Sequence, residues 1–300
     1  MARSHGPLLA ATLTDDDLEG LRYPLLGSPK VDGIRFMKPR GEPAMSRSWK
    51  PLPNRNLQGL CASLPELDFC DGEVIVGNDP AAEGLFNRTQ SAVMTASDEQ
   101  PLSLCIFDHF FNPELGFVNR TALAAEAVKL IGRIQVQYVP HTTLWNAEEV
   151  RAFETECIEA GYEGAMFNDP NAPYKNGRST LKQGILMKLK RFSDDEAIII
   201  GFEELERNQN QATKDSFGLQ KRSSHRSGKI GGNTLGKFIL EHKSYGQFSC
   251  GSGLDDATRD QVWQNKEAYL GKIVTFKYQA HGTKDKPRTP IFKGFRPEVE

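Results

Sequence analysis

The feature of this sequence that most constrains its fold is a change of pattern near residue 192. Before it, segments with helical spacing alternate with short strand-like segments. After it, short strands and glycine-rich turns predominate, and a helical pattern is confined to residues 255–270. Three hundred residues are enough for two domains of ordinary size. We therefore predict an α+β fold with two domains, residues 1–191 and residues 192–300.

Local signals place several elements within these domains. Asn146 and Glu149 form a capping box, and Gly161 ends the helix that this box begins. Residues 69–76, 102–107 and 185–190 are predicted strands, because they are short, apolar or alternating, and bounded by Gly, Pro or Asp. The length of the second domain, about 110 residues, and its strand spacing favour a small β-barrel such as an OB-fold, although other β domains fit the same composition.

Composition excludes several classes of protein. No apolar stretch is long enough to cross a bilayer, and the apolar run near the start is too short for a secretory signal. A cytoplasmic or infected-cell setting and no membrane partner are therefore expected. The five cysteines are widely spaced and form no CxxC pair, so the sequence indicates neither a disulfide framework nor a zinc site. A bound metal ion would be held by carboxylates.

Basic charge is concentrated in the last third of the chain, although the net charge is −2. Residues 207–229 contain a single acid, Asp215, and residues 272–296 a single acid, Asp285. The segment from about 203 to 233 is polar and rich in Gly and Ser, and it is predicted to project as a mobile hairpin or loop. Its basic residues favour contact with phosphates. The alternative is a solvated insertion without a role.

Lys30 is a candidate nucleophile in the segment SPKVDGIRF. Strand-like alternation over residues 28–31 places Lys30 and Asp32 on the same side of the backbone. Attack on phosphorus requires an unprotonated amine, which neighbouring positive charge or desolvation favours. On its own, the four-residue pattern KVDG is also typical of an ordinary strand and turn.

Two further segments carry paired charges. Asp71 and Glu73 share one face of a short strand and are suited to a divalent ion or a ribose hydroxyl. Lys188 and Lys190 alternate with apolar residues and point to the same side, which indicates a phosphate between them. The alternatives are an edge strand after a turn for the acidic pair, and a solvent-facing edge strand for the lysines.

The order of the motifs is more specific than any one of them. KVDGIR, SR, DGE, FDHF, EGAMF and MKLK follow one another as in the covalent nucleotidyltransferases, the superfamily of DNA ligases, RNA ligases and mRNA capping enzymes. The stretches PLLAATL, SAVMT, GRSTLKQGILMKLK, TKDSFG, WQNKEAYLGK and PRTPIFKGFR resemble the minimal ATP-dependent DNA ligases of the Chlorella virus type. This resemblance covers nearly the whole chain.

The resemblance implies an adenylation (nucleotidyltransferase) domain followed by an OB-fold domain, and a function in sealing nicks between a 3′-hydroxyl and a 5′-phosphate. Lys30 would attack the α-phosphate of ATP, release pyrophosphate and carry AMP, which then passes to the nick as a DNA-adenylate. Asp32 would assist by positioning metal or substrate. Lys188 and Lys190 would flank the α-phosphate and stabilise its charge in the transition state.

The same resemblance assigns the remaining site residues. Phe107 would stack on adenine, and Arg35 would contact the ribose or the nick phosphate. Mg²⁺ or Mn²⁺ would be held by acidic residues, namely Asp71, Glu73 and Glu163, of which Glu73 could instead bind the ribose. Arg288 and Arg296 would orient the pyrophosphate, although the chain does not end in the RxDK pattern of larger ligases. Asn168 stands where ligases often have a basic residue.

For DNA, the resemblance implies a monomer that encircles a nicked duplex. Arg47 would grip the 5′-phosphate of the nick and Arg178 a further phosphate. Residues 203–233 would form a latch that closes on the duplex through its basic side chains, Lys214, Lys221, Arg222, Arg226 and Lys229. The enzymatic alternatives are an RNA ligase or a capping guanylyltransferase. A non-catalytic DNA-binding protein is a further alternative.

Overall fold

The computed structural model describes residues 6–214, 220–279 and 285–296. The chain divides into two compact units, Met1–Lys190 and Arg191–Glu300. Asp215 and residues 297–300, which enter the sequence argument above, lie outside the described residues.

The first unit mixes strands and helices. Its strands are β1 (Leu8–Leu9), β2 (Ala11–Thr12), β3 (Leu25–Pro29), β4 (Ile34–Met37), β5 (Met45–Ser46), β6 (Cys70–Val76), β7 (Leu102–His109), β8 (Val136–Tyr138), β9 (Thr142–Leu144), β10 (Ala165–Asn168), β11 (Gly177–Arg178) and β12 (Leu186–Leu189). Its α-helices are α1 (Arg55–Ala62), α2 (Leu85–Met94), α3 (Phe117–Ile131) and α4 (Ala147–Glu159).

Two five-stranded sheets organise this unit. One has the order β2-β12-β10-β3-β9, and the other has the order β5-β4-β6-β7-β8. Both segments with paired charges therefore lie inside a sheet: β12 between β2 and β10, and β6 between β4 and β7. The alternative interpretation of each segment as an edge strand is wrong. Each sheet has its own apolar core, one around Phe167 and Leu189 and the other around Phe36 and Leu104.

Helix α4 begins and ends where the sequence indicates. The Asn146 side chain accepts a hydrogen bond from the Glu149 amide at 2.9 Å, and its Nδ2 donates one to the Glu149 carboxylate at 2.9 Å. Gly161 follows the helix with φ +94°, a conformation that costs glycine little. Val150 and Cys157 are buried on the inner face. The predicted N-cap and the predicted end of this helix are therefore confirmed.

The second unit is mostly β-structure. Its elements are β13 (Ser193–Asn208), β14 (Ala212–Lys214), β15 (Gln220–Arg222), β16 (Lys229–His242), β17 (Gly246–Cys250), α5 (Asp256–Gln264), α6 (Lys266–Tyr269), β18 (Ile273–Gln279) and β19 (Arg288–Phe295). Five of the strands form a sheet in the order β17-β16-β13-β18-β19 around buried Phe238 and Phe276. A bridge between Ser252 and Ile291 brings the two ends together, but in the described residues the barrel does not close through a full strand pair.

Long strands β13 and β16 continue past this core as an exposed ribbon. They stay paired as far as Asn208 and Lys229, and beyond that point β14 and β15 form an antiparallel hairpin. Among the described residues of 203–233, none is buried. A hairpin therefore exists where the sequence predicts one, and its role on DNA stays a prediction.

All five cysteines are buried and free, in agreement with the expectation of reduced thiols. Within the described parts of the chain, no helix is long and apolar enough to cross a bilayer.

Candidate active site

Three neighbouring strands bring the reactive lysine and its partners together. Pro29 at the end of β3 lies opposite Ala165 at the start of β10, and Ala165 lies opposite Leu189 of β12. Lys30, which follows Pro29, therefore lies close to Glu163 and Gly164, which precede Ala165. The Lys30 amide donates to the Gly164 carbonyl at 2.9 Å, and the Glu163 amide donates to the Lys30 carbonyl at 3.2 Å.

Glu163 joins two of the predicted lysines. Its carboxylate accepts a hydrogen bond from Lys30 Nζ through Oε2 and from Lys190 Nζ through Oε1, the latter at 3.2 Å. The Glu163 side chain is 4% exposed, whereas that of Lys30 is 21% exposed. Lys30 is therefore held at the surface of the cavity, with its amine fixed from one side and solvent access left on the other.

The backbone around Lys30 differs in one respect from the expectation. Strand β3 ends at Pro29, so Lys30 and Asp32 do not alternate along an extended strand as predicted. Asp32 is buried at 6% exposure and its charge raises the pKa of Glu73. The residue after Asp32 is Gly33, and this position requires glycine because a Cβ there would collide with the Val74 carbonyl oxygen. The tight approach of this turn to β6, and not strand alternation, places the two residues.

The second sheet supplies Arg35, which lies opposite Glu73 across β4 and β6. The Arg35 guanidinium makes a bidentate ion pair with Asp71, with Nε to Oδ1 at 2.5 Å and Nη2 to Oδ2 at 2.6 Å. The Tyr174 hydroxyl donates to the same Oδ2 at 2.6 Å. Both oxygens of Asp71 are thus engaged by protein groups. Its predicted role as a metal ligand stays a prediction, and these bonds show that Asp71 holds Arg35 in place.

The environment of the Glu73 carboxylate is the opposite of that of Asp71. Its Oε2 is buried and forms no hydrogen bond within the described residues. Burial, reinforced by the charges of Asp71 and Asp32, raises the pKa of Glu73 to about 7 against the opposing effect of Arg35 and Lys30. A buried carboxylate oxygen without a partner is costly, so this atom is suited to a ligand hydroxyl or a cation.

These residues line an open cavity of about 190 Å³. The predicted site residues on its wall are Lys30, Arg35, Arg47, Glu73, Phe107, Arg178 and Lys188. The Arg35 guanidinium lies 4.7 Å from the centre of the Phe107 ring. The exposed Arg178 side chain is tied to the Ala10 carbonyl at 2.6 Å. Asn168, which stands where ligases often have a basic residue, is 4% exposed and also lines the wall. Positive groups, an acid and an aromatic ring therefore surround one ligand-sized space.

Lys188 is the cation whose charge is least favoured in this cavity. Burial, together with the nearby charges of Lys190, Lys30 and Arg178, lowers its pKa to about 8, while Glu163 acts in the opposite direction. An anion between these groups would relieve the repulsion. The positive charges of these residues therefore repel one another in the described structure, and their role in binding phosphate stays a prediction.

Replacing Lys188 with methionine is therefore expected to stabilise the protein at neutral pH. The folded-state pKa lies below the unfolded value of about 10.4, so the charged lysine costs stability below pH 8, and this cost fades as the pH rises from about 8 towards 10.4. The gain should be on the order of 1–3 kcal/mol at pH 7. Thermal unfolding at pH 7 and pH 10 measures it. An equal gain at both pH values would contradict this origin.

Other predicted residues lie elsewhere in the chain. Arg288 belongs to β19, and Arg296 donates to Glu196 at 2.6 Å, so both are in the second unit. The basic side chains of the hairpin are exposed or partly exposed, and Lys229 pairs with Glu206 at 3.0 Å. In the described residues, no group of three or more acidic, histidine or cysteine side chains is arranged to hold a metal ion by itself.

Several cavity residues were not found by sequence reasoning. They include His141, Val139, Phe117 and Met166. Tyr174, which holds Asp71, was also missed. Met166 lies within the segment EGAMF and could have been found there, but the others follow no motif; Val139 and His141 come just after β8, which pairs in parallel with β7.

Comparison with known proteins shows the family. The family model of the ATP dependent DNA ligase domain matches residues 23–190, and that of the DNA ligase OB-like domain matches residues 227–296. A probable DNA ligase of Kineococcus radiotolerans is 24% identical over 213 residues, which is 66% of this chain and 40% of that protein. The DNA ligase of African swine fever virus is 26% identical over 137 residues, 45% of this chain and 32% of that protein. The matches thus span less than half the length of these curated relatives.

Solved structures agree over a longer range. The crystal structure of the Chlorella virus DNA ligase-adenylate is 33% identical, covers 99% of each chain and has a TM-score of 0.54. A structure of a Lig E DNA ligase is 22% identical, covers 98% of this chain and 100% of that one, and has a TM-score of 0.72, which shows a shared fold. The predicted resemblance and the predicted fold class, an adenylation domain followed by an OB-like domain, are confirmed. Since the first family model alone matches more than half of the sequence, this chain belongs to the ATP-dependent DNA ligase family.

Proposed function

We propose that this protein is an ATP-dependent DNA ligase that seals nicks between a 3′-hydroxyl and a 5′-phosphate in duplex DNA. Lys30 attacks the α-phosphate of ATP and forms a phosphoramide bond to AMP as pyrophosphate leaves. The AMP then passes to the 5′-phosphate of the nick, and the 3′-hydroxyl displaces it. The observation that carries this proposal is the placement of Lys30 against Glu163, with Lys188 on the same cavity wall and Lys190 on the other Glu163 oxygen.

Glu163 supports the first step by its position. A lysine that attacks phosphorus must first give up a proton, and a carboxylate hydrogen bonded to its Nζ holds the amine in one orientation. Lys188 and Lys190 then face the charge that develops on the α-phosphate oxygens. Transfer of the phosphoryl group needs positioning and charge more than covalent help from the protein, and these residues supply both.

The rest of the nucleotide is assigned to the same cavity. Phe107 offers an aromatic face for adenine, and Arg35, held by Asp71, reaches the ribose or the nick phosphate. The buried Glu73 oxygen without a partner fits a ribose hydroxyl or a divalent ion. Glu73 and Glu163 would hold Mg²⁺ or Mn²⁺, with Asp71 as a further candidate, and Asp32 would assist by positioning metal or substrate. When bound, this ion would neutralise phosphate charge. Arg288 and Arg296 are proposed to orient the pyrophosphate.

For the DNA we propose that Arg47 and Arg178 bind phosphates beside the nick, because both exposed guanidinium groups lie on the rim of the cavity that holds Lys30. The exposed hairpin of residues 203–233 is proposed to act as a latch in a monomer that encircles the duplex. Its basic side chains, and the finding that none of its described residues is buried, support contact with the phosphate backbone.

The direct test is incubation of the purified protein with ATP, a divalent ion and a singly nicked duplex. Sealing of the nick, with a mass increase of one adenylate on the protein in the absence of DNA, is expected. Labelling by GTP in place of ATP would identify a capping guanylyltransferase, and preferential sealing of nicked RNA would identify an RNA ligase. Binding of nicked DNA without either covalent labelling or sealing would identify a non-catalytic protein.

Neutralising the hairpin is expected to weaken nick binding and leave the reaction with ATP intact. Replacing Lys214, Lys221, Arg222, Arg226 and Lys229 with glutamine removes up to five phosphate contacts, and each contact contributes a slope of about 0.9 in the logarithm of affinity against the logarithm of salt concentration. Affinity for a nicked duplex should fall and its salt dependence should flatten. Covalent labelling by ATP without DNA is the internal control. Unchanged affinity and slope would contradict the role of the latch.

A further inference from the structure

Tyr174 is a buried residue behind the cavity wall that has no part in the function proposed above. Its ring packs against that of Phe110, with 5.9 Å between the ring centres. The Tyr174 amide donates to the Pro113 carbonyl at 2.7 Å, so the backbone is held as well. The hydroxyl of this side chain therefore has a fixed position.

The direction of each hydrogen bond at this hydroxyl follows from the chemistry of its partners. The Asp71 carboxylate, paired with the Arg35 guanidinium, can only accept, and the hydroxyl donates to its Oδ2 at 2.6 Å. The Leu8 backbone amide can only donate, and it donates to the hydroxyl oxygen at 3.3 Å. Burial and the charge of Asp71 raise the pKa of Tyr174 well above its usual value, so the hydroxyl keeps its proton at neutral pH.

The Leu8 peptide contacts Arg35 from a second side. Its carbonyl accepts a hydrogen bond from Arg35 Nη2 at 3.4 Å, while its amide is bound to the Tyr174 hydroxyl. Leu8 is buried, and its strand β1 is paired in parallel with β11. Residues 6–13, which include this strand, precede the segment that the ATP dependent DNA ligase domain model matches. Tyr174 therefore links this N-terminal segment and Asp71 to the same guanidinium.

One edge of the Arg35 guanidinium is left for a ligand. Nε and Nη2 donate to Asp71, and Nη2 also donates to Leu8. Among the described residues, Nη1 has no hydrogen-bond partner. The Arg35 side chain is 14% exposed and lines the cavity, with its guanidinium 4.7 Å from the centre of the Phe107 ring. The two hydrogens of Nη1 are therefore the ones that a bound molecule can receive.

We propose that Tyr174 is a positioning residue for the bound nucleotide, and that it acts through the orientation of Arg35. By holding Asp71 and the Leu8 peptide, its hydroxyl keeps Nη1 directed at the cavity. This inference rests on the proposed function, because it takes the ligand of the cavity to be ATP. Of the two ligands considered for Arg35 it selects the nucleotide, since the guanidinium lies beside Phe107.

The effect on binding follows from the freedom that Arg35 would otherwise have. A guanidinium paired with a carboxylate that cannot rotate has one orientation before the ligand arrives, and this lowers the entropy cost of binding. With Tyr174→Phe, Asp71 loses its neutral donor and the Leu8 amide loses its acceptor. Tyr174 itself does not line the cavity, so its loss removes no direct contact with the nucleotide.

The test measures the equilibrium affinity for ATP by calorimetry in a Lys30→Ala background, which prevents adenylate formation. Tyr174→Phe should lower this affinity about tenfold, the equivalent of one net hydrogen bond. Replacement of Tyr174 by 4-aminophenylalanine, which restores a donor to Asp71, should recover most of the loss. Tyr23→Phe is the matched control, because the Tyr23 hydroxyl donates to the Leu18 carbonyl at 2.9 Å and does not line the cavity. It should keep the affinity of the background protein.

Two further measurements separate positioning from a loss of folding. A partly unfolded population lowers the number of ATP sites per protein, whereas a misplaced Arg35 lowers the affinity at full site number. In an Arg35→Lys background, which cannot form the bidentate pair, Tyr174→Phe should cause little further loss of affinity, because both substitutions act on the same contact.

Unchanged ATP affinity in Tyr174→Phe would overturn the proposal, and so would a tenfold loss that persists in the Arg35→Lys background. No binding of ATP to the background protein would contradict both this proposal and the proposed function. Covalent labelling is measured separately on proteins that retain Lys30, where Tyr174→Phe should raise the KM for ATP and leave kcat close to that of the wild type. ATP affinity that depends on Tyr174, in a protein that ATP does not label, would contradict the proposed ligase reaction and support the role of Tyr174.

Discussion

Replacement of Lys30 with alanine is expected to abolish covalent labelling by ATP and to reduce sealing of a nicked duplex by at least about 10³-fold, the scale of losing a covalent nucleophile. Lys30 Nζ is the amine that Glu163 fixes at the cavity surface. Lys188 faces the same cavity, but it belongs to a strand on the far side of β10, and its proposed task is to hold phosphate charge. Without Lys30 the first covalent bond does not form.

Two controls make this result specific. Lys182→Ala removes an exposed lysine of the same unit and should leave labelling and sealing at the wild-type level. A nick that already carries AMP on its 5′-phosphate bypasses the first two steps, so Lys30→Ala should seal it far better than it seals an ordinary nick with ATP. Equal loss on both substrates would indicate that the substitution damages the whole site. Residual labelling by ATP at the wild-type level would show that Lys30 is not the nucleophile.

Some features of this chain carry a short-range signal in the sequence, whereas most of the site residues were assigned from the family resemblance. Strand alternation predicts that the side chain of Lys188 points away from those of Met187 and Leu189. Both apolar side chains are buried, as predicted. The cap of α4 is likewise a local pattern over three residues. Such signals depend on neighbours along the chain, and these were predicted correctly.

What the sequence did not predict depends on contacts between distant segments. The hydrogen bond between Tyr174 and Asp71 joins residues 103 positions apart, and His141, which follows β8, lines the same cavity as Phe107 of β7. The end of β3 at Pro29 was also missed, because the approach of Gly33 to β6 overrides strand alternation. Nothing within a short window of sequence encodes these neighbours.

The same distinction applies to the second unit. Short strands and turns indicated a small barrel, and the family comparison confirms an OB-like domain. The degree of closure was not predictable, since it depends on how β17 and β19 approach through the bridge from Ser252 to Ile291. The projecting hairpin was predicted from polarity alone, because a segment with few apolar residues has nothing to bury.

Arg120→Met is expected to reduce the free energy of unfolding by about 3–5 kcal/mol, the range for removing one partner of a buried ion pair. The Arg120 side chain is fully buried, and its guanidinium meets Asp108 with Nε to Oδ1 at 2.9 Å and Nη2 to Oδ2 at 3.1 Å. Nη1 also donates to the Leu115 and Ala172 carbonyls at 2.6 and 2.8 Å. The substitution leaves a buried carboxylate and two carbonyl groups without these donors.

A matched pair on the surface separates burial from ion pairing as the cause. Arg151 and Glu19 are 3.0 Å apart, but their side chains are 41% and 73% exposed, so Arg151→Met should cost less than about 1 kcal/mol. Urea unfolding followed by fluorescence of buried Trp49 reports on the first unit. Adding Asp108→Asn to Arg120→Met removes the uncompensated charge and should recover part of the loss. A double variant no more stable than Arg120→Met would show that the carbonyl contacts, and not the charge of Asp108, account for the stability that Arg120 provides.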